Sequence, residues 1–113
     1  MIDKINVRVY ATVLKDKKIL SLHEEYVGEY LLKFVGGGLE FGESIVECLH
    51  REFEEELNLK IKNLEHFYTQ EDFLVSKFRD NEQLLTIYYL AEIVDEDDLI
   101  IRDSCIEKVE WIS

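Results

Sequence analysis

The stretch from Gly36 to Leu59, which reads GGGLEFGESIVECLHREFEEELNL, constrains this chain more than any other segment. Its three opening glycines allow backbone conformations that are closed to other residues, so their carbonyl or amide groups could approach a metal ion or a phosphate closely. A glycine-rich loop alone is weak evidence, and this one is not a P-loop, because no Gly-Lys-Ser or Gly-Lys-Thr follows. The glycines therefore have to be interpreted together with the segment that comes after them.

A helix is predicted directly after the glycines. Ser44 and Glu47 have the spacing of a capping box, which places the first helical residue at Ser44 or Ile45. Asn58 stands where a left-handed residue commonly closes a helix, so we expect the helix to end near Leu57.

The predicted helix has an apolar face and an acidic face. At roughly 100° per residue, one arc collects the side chains expected to face the core, namely Ile45, Val46, Leu49, Phe53 and Leu57. Glu52, Glu55 and Glu56 collect on the neighbouring arc, where like charges three and four residues apart repel and the helix C-terminus disfavours anions. A hard divalent cation such as Mg²⁺ would offset both costs, and the alternative is a solvated glutamate-rich face.

The combined spacing of glycines and charges is specific. The following positions resemble the Nudix box of the Nudix hydrolases: Gly37, Glu43, Arg51-Glu52-Phe53, Glu55-Glu56 and Asn58-Leu59. The family usually has an aliphatic residue at the position of Phe53, a glycine at that of Asn58, and commonly a proline at that of Val35. None of these departures removes a carboxylate.

The resemblance implies metal-assisted hydrolysis of a nucleoside diphosphate linked to another moiety, with Mg²⁺ or Mn²⁺ as cofactor and a small nucleotide-type substrate. It implies that Glu52 and Glu56 bind the metal and that Glu55 is a further ligand. A backbone carbonyl of Gly36 or Gly37 would complete the metal site.

The resemblance also implies that Arg51 and Glu43 form an ion pair that fixes the loop against the helix, so both are structural residues together with Gly37. The implied catalytic residues are Arg51, Glu52 and Glu55, because either glutamate could take the proton from water. The general base could also come from elsewhere in the chain, with these candidates: Glu82, Glu96 and Glu107. Nucleoside triphosphates, ADP-ribose and dinucleoside compounds all remain open as substrates, and the alternative function is a non-catalytic sensor that binds a nucleotide or ADP-ribose.

Several other residues are weaker candidates. The possible phosphate contacts are Arg8, Lys33 and Arg79, for each of which surface solvation is the alternative. The aromatic residues that could stack on a base are Tyr68, Tyr88 and Tyr89. Because successive strand residues point to opposite faces, Tyr88 and Tyr89 cannot both face one pocket.

The rest of the chain has strand patterns, in the segments Asn6 to Leu14, Ile19 to Glu24, Tyr30 to Val35, Leu64 to Glu71, Gln83 to Val94 and Glu107 to Ile112. Polar loops are expected between them, at residues 25–29, 76–82 and 95–98. One strong helix among strands predicts an α/β or α+β fold, and we expect residues 1–113 to form a single domain. By resemblance this would be a Nudix-like mixed β-sheet sandwich with one main catalytic helix.

Family members usually continue into a further helix after a tryptophan such as Trp111. The present sequence ends at Ser113, so we expect the second helical layer to be missing. One helix covers only one face of a sheet, which makes a homodimer plausible.

The charge excludes some classes of partner. With 25 acidic and 13 basic residues, the formal net charge is −12, which argues against binding to nucleic acid or to an anionic membrane surface. It permits a small phosphorylated ligand, because a divalent metal can bridge carboxylates and phosphates. The first residues lack a signal-peptide pattern, no apolar run could span a membrane, and two cysteines are too few for a disulfide framework, so a cytoplasmic location is expected.

Overall fold

The computed structural model describes residues 1–26 and 28–113. Within these residues the chain forms the following elements: β1 (Lys4–Lys15), β2 (Lys18–Tyr26), β3 (Glu29–Lys33), β4 (Val35–Gly38), α1 (Ile45–Leu57), β5 (Ile61–Thr69), β6 (Leu74–Val75), β7 (Glu82–Ile93), a 3₁₀ turn (Glu96–Asp98) and β8 (Ile106–Ile112).

The centre of the structure is the parallel pair of β1 and β7, which runs from Lys4 opposite Glu82 to Val13 opposite Ala91. Strand β4 pairs antiparallel with the other edge of β1, and β5 and β6 pair antiparallel with β7. Strand β2 forms a short hairpin with the end of β1 and then pairs antiparallel with β3 on one side and β8 on the other. This mixed arrangement confirms the predicted α+β class.

The hydrophobic core lies between α1 and one face of β1. Val9, Ala11 and Val13 alternate along β1 and are buried, as the pattern of apolar residues predicted. They join Leu49 and Phe53 of the helix in one cluster. This packing holds α1 against the strands and so fixes the position of its charged side chains.

The helix has the predicted boundaries. Ser44 Oγ accepts a hydrogen bond from the Glu47 amide at 3.1 Å, and the Ser44 amide donates to the Glu47 carboxylate at 3.0 Å, which completes the capping box. Asn58 has the left-handed conformation, with φ 58°.

The predicted apolar face of the helix needs correction. Val46 was expected in the core but is 40% exposed, whereas Cys48 and Glu56 are buried. Ile45 packs against the core in the first turn, and the buried face runs from there through Cys48, Leu49 and Glu56, so Val46 lies at its edge.

Some strand predictions also differ from the structure. The glycines were expected to form an irregular loop, but Gly36–Gly38 belong to β4 and pair with β1, and the short strand β6 was not predicted. The loop predicted at residues 25–29 is largely occupied by β2 and β3, and residue 27 of it lies outside the described residues. At 13 residues, α1 is the longest helix in the described part of the chain, and no helix there has the length and apolar character needed to cross a bilayer.

Candidate active site

The acidic face of α1 lies against the glycine strand β4. A Cβ atom on Gly37 would come within 2.6 Å of Glu52 Oε1, so the Glu52 carboxylate occupies the space that any other residue at position 37 would need. A Cβ atom on Gly36 would come within 2.0 Å of the Val9 carbonyl oxygen, so β4 can approach β1 only with glycine at this position.

Arg51 connects the loop before the helix with the carboxylates on it. Its Nε and Nη2 atoms donate to the two oxygens of Glu43 at 3.0 and 2.7 Å, a bidentate ion pair. Nη2 also donates to the Gly38 carbonyl oxygen at 3.0 Å, while Nη1 lies 2.8 Å from Glu52 and 3.2 Å from Glu55. The hydrogen bonds from Arg51 lower the pKa of Glu43 to about 2, so this carboxylate stays ionised.

Glu52 and Glu55 differ in their exposure. The Glu52 side chain is largely buried, and this burial raises the pKa of its carboxyl group, although the bond to Arg51 opposes the shift. The Glu55 side chain is 58% exposed, so of the two it is the more accessible to a ligand from solvent.

Glu56 is the most buried acid on this face. Its residue is 5% exposed, and its Oε2 atom accepts a hydrogen bond from the Gly36 amide at 3.3 Å. Burial is the main cause that raises the pKa of Glu56 to about 8; Glu52 adds to the shift, and Lys33, with Nζ at 3.9 Å, opposes it. In the metal-free protein, ionisation of the Glu56 carboxyl group is therefore unfavourable.

Two acids near Glu56 were not singled out from the sequence. Glu24 on β2 and Asp103 before β8 each place a carboxylate oxygen within 4.8 Å of the others and of Glu56. Lys33 neutralises part of this charge through an ion pair with Glu24 at 3.0 Å. A signal for Glu24 was present, because it follows Leu20 and Leu22 in the alternation that faces the core; Asp103 has no comparable signal.

The donor set fits a hard divalent cation. Carboxylate oxygens are the ligands that Mg²⁺ prefers, and Glu52, Glu55 and Glu56 present them along one side of α1. The contact that the structure shows from Gly36 to this group is made by its amide, whereas the ligand predicted from Gly36 or Gly37 was a carbonyl oxygen. That carbonyl ligand stays a prediction.

The three further candidates for the general base lie in different places. Glu96 forms an ion pair with Lys15 at the β1–β2 hairpin, and Glu107 is exposed on β8. Glu82 is buried at the start of β7 and lines a pocket with Lys33 and Arg8. Of the three, Glu82 is therefore the one that shares a pocket with Lys33, the partner of Glu56.

The weaker candidates, three basic residues and the tyrosines, lie in different parts of the structure. Arg8, Lys33 and Arg79 line this one pocket. Tyr88 stacks on Tyr10, whereas Tyr89 meets His66 edge to face and packs against the core cluster. The two adjacent tyrosines thus occupy opposite faces of β7, as predicted.

Comparison with known proteins shows the family and the fold of this chain. A family model described as the NUDIX domain matches residues 4–113. The chain is similar to a Nudix hydrolase from Nitrosomonas europaea, with 26% identity over 97% of this chain and 73% of that chain and a TM-score of 0.81. It is similar in fold to a MutT Nudix hydrolase from Burkholderia pseudomallei, with 18% identity over 97% of this chain and 84% of that one and a TM-score of 0.82.

A third similar structure is an ADP-ribose pyrophosphatase from Streptococcus suis, at 16% identity over 96% of this chain and 73% of that chain, with a TM-score of 0.67. A comparison with curated protein sequences gives no significant match. The structural likeness confirms the predicted Nudix fold for this chain, with a multi-stranded sheet and one α-helix in the described residues.

Proposed function

This chain belongs to the Nudix family, and we propose that residues 1–113 act as one domain that hydrolyses the pyrophosphate bond of a nucleoside diphosphate linked to another moiety. The observation that carries the proposal is the position of Glu52 and Glu56. Both carboxylates are withdrawn from solvent against the backbone of Gly36 and Gly37, an arrangement that is unfavourable without a cation.

The proposed cofactor is Mg²⁺ or Mn²⁺, held by Glu52 and Glu56 with Glu55 as a further ligand. When bound, such an ion would neutralise the charge that develops on the phosphoryl oxygens and activate the attacking water. Arg51 keeps the Glu52 carboxylate in place, and Glu43 in turn fixes the Arg51 guanidinium.

The attacking water must lose a proton, and the candidate acceptors are Glu52 and Glu55. Glu55 is exposed and bonded to Arg51 by one nitrogen only, so it retains free acceptor positions. Glu52 is held more tightly, with its carboxylate 2.8 Å from Arg51 Nη1, and burial raises the pKa of its carboxyl group in the metal-free protein.

A nucleotide-library screen tests this function when pyrophosphatase and alkaline phosphatase are added to convert the products of pyrophosphate-bond cleavage into measurable phosphate. Native protein with Mg²⁺ should hydrolyse at least one nucleotide substrate, and Glu52→Gln and Glu56→Gln should each lose most of that activity. Glu54→Gln, which changes an exposed glutamate on the same helix, is the matched control and should retain it. Absence of turnover in the native protein across the library would contradict the proposal.

The alternative is a non-catalytic sensor that binds a nucleotide or ADP-ribose. A sensor has no need for Glu52, Glu55 and Glu56 together beside Arg51, so their presence favours the enzyme. Nucleotide binding that persists in EDTA, together with no turnover in Mg²⁺, would favour the sensor.

A homodimer is also proposed, because the sheet face opposite α1 carries an apolar groove of about 520 Å³. Its lining includes Leu14, Phe67 and Tyr68, which are exposed. Size-exclusion chromatography with light scattering should give twice the mass of the chain; the monomer mass at micromolar concentration would contradict this proposal.

A further inference from the structure

A pocket of about 430 Å³ opens beside the carboxylates, on the side of β1 that faces away from the core. Its volume is in the range of small-ligand sites. Lys33 belongs both to this pocket and to the acidic cluster, since it pairs with Glu24 and lies 3.9 Å from Glu56. A ligand whose phosphates lie at the carboxylates would therefore extend into this pocket.

Near the carboxylates the pocket has two cationic side chains and one buried acid, Glu24, which pairs with Lys33. Arg8 and Lys33 line the pocket, and the charges of Glu52 and Glu56 act on the Arg8 guanidinium. The chain as a whole has a net charge of −12, which repels phosphates. Two positive side chains next to the carboxylate site would offset this repulsion locally and so suit the phosphates of a nucleotide.

The other end of the pocket carries a different polar group. Asn6 lies two residues before Arg8 on β1, roughly 7 Å further along the strand. Its side-chain amide donates a hydrogen bond to Glu82 Oε1 at 3.0 Å, and Glu82 is only 9% exposed. No described residue donates a hydrogen bond to the second oxygen of the Glu82 carboxylate, and carboxylate oxygens accept hydrogen bonds.

The pocket also has apolar lining residues, of which Leu84 lies opposite Asn6 on β7. Phe78, Leu31 and Leu84 line the same pocket. A flat aromatic ring can pack on such surfaces while its polar edge meets a fixed side chain, as in sites that recognise an unstacked base.

We infer that Glu82, held in position by Asn6, is a specificity-determining residue that accepts hydrogen bonds from a base with two adjacent N–H donors, as on the Watson–Crick edge of guanine. The inference rests on the proposed function, because it takes the phosphates to lie at the carboxylate site. Uracil and thymine present carbonyl oxygens on both sides of their single ring N–H, and these would repel the carboxylate.

The position of Glu82 indicates that its carboxylate would contact the base of a nucleotide, and not the ribose. Glu82 lies beyond Asn6 as seen from Arg8, so a nucleotide with its phosphates near Arg8 would bring its sugar to the middle of the pocket and its base to the Glu82 end.

The experiment compares GMP with IMP, which lacks only the exocyclic amino group. Neither contains a pyrophosphate bond, so calorimetry measures binding whether or not the protein is a hydrolase. Native protein in Mg²⁺ should bind GMP about tenfold or more tightly than IMP, because IMP leaves the carboxylate with one donor too few. In Glu82→Gln the ratio of the two affinities should fall towards one.

Glu65→Gln, which changes an exposed glutamate on β5 outside the pocket, is the matched control and should keep the native ratio. The ratio does not depend on the folded fraction of a variant, so partial unfolding of Glu82→Gln would not imitate the effect. Equal affinities for GMP and IMP, no binding of either, or a preference that survives in Glu82→Gln would overturn the inference.

A comparison of GMP with dGMP tests whether Glu82 recognises the ribose instead of the base. If Glu82→Gln abolishes a preference for ribose while GMP and IMP bind equally, Glu82 recognises the sugar and the inference is wrong. Selective GMP binding without hydrolysis of any nucleotide would instead remove the proposed enzyme function and leave the assignment of Glu82 intact.

Discussion

The Glu52 carboxylate fills the volume that a side chain on Gly37 would occupy, with Oε1 2.6 Å from the position of a Cβ atom there. The two residues lie on different elements, Gly37 on β4 and Glu52 on α1, so the contact joins the strand to the helix at the candidate metal site. It explains in steric terms why glycine and glutamate occur together at these two positions.

Gly37→Ala should displace the Glu52 carboxylate. Since misplacing a catalytic group by about 1 Å can reduce the rate on the order of a hundredfold, we expect kcat/KM to fall by about tenfold to a hundredfold. Gly38→Ala is the control, because its Cβ would meet nothing closer than 3.6 Å. Steady-state kinetics should show near-native activity for Gly38→Ala, and equal effects of the two substitutions would refute the steric explanation.

Glu43→Gln should lower stability at neutral pH through loss of the ion pair with Arg51. The folded-state pKa of Glu43 is lowered to about 2 from an ordinary 4.5, so its contribution is fully present above pH 4.5 and is lost as the pH falls towards 2. Thermal unfolding of native and variant protein should therefore differ at pH 7, and the difference should shrink below pH 4.5 and approach zero near pH 2. A difference that is the same at both ends of this range would contradict the role of the ion pair.

Glu56→Gln should have the opposite effect on the metal-free protein. The pKa of Glu56 is raised from 4.5 to about 8, so its favourable contribution is present below pH 4.5 and is lost as the pH rises through 8. Unfolding in EDTA should show native stability declining between pH 5 and pH 8, and Glu56→Gln should remove part of this decline. The same pH dependence of stability in both proteins would show that the folded protein does not disfavour ionisation of Glu56.

The sequence predicted the local features of the site well. The capping box, the left-handed Asn58 and the spacing of Arg51 with Glu55 all depend on residues within one helix and its ends, and the structure has each of them. The alternation along β1 likewise predicted the burial of Val9, Ala11 and Val13, although Thr12 on the opposite face is buried too. Such features follow from backbone periodicity and need no knowledge of distant contacts.

Features that depend on distant contacts were not predicted. Glu56 is buried because β4 pairs with β1 and brings the Gly36 amide to its carboxylate, and glycine-rich sequence gives little indication of a strand. Glu24 and Asp103 meet Glu56 only after β2 and β8 have paired. Val46 was placed in the core by periodicity alone, but it lies at the edge of the helix face that packs on the strands, whereas its neighbour Ile45 contacts the core.

Mn²⁺ binding measured by electron paramagnetic resonance tests the central claim most directly, because it reports on the metal site without requiring the substrate. Native protein should bind Mn²⁺, Mg²⁺ should compete with it, and Glu52→Gln and Glu56→Gln should each weaken binding by about tenfold or more, since each loses a carboxylate ligand. Glu54→Gln, with its altered side chain on the exposed side of α1, should bind as the native protein does. Native affinity in both Glu52→Gln and Glu56→Gln would contradict the assignment of these carboxylates to the metal.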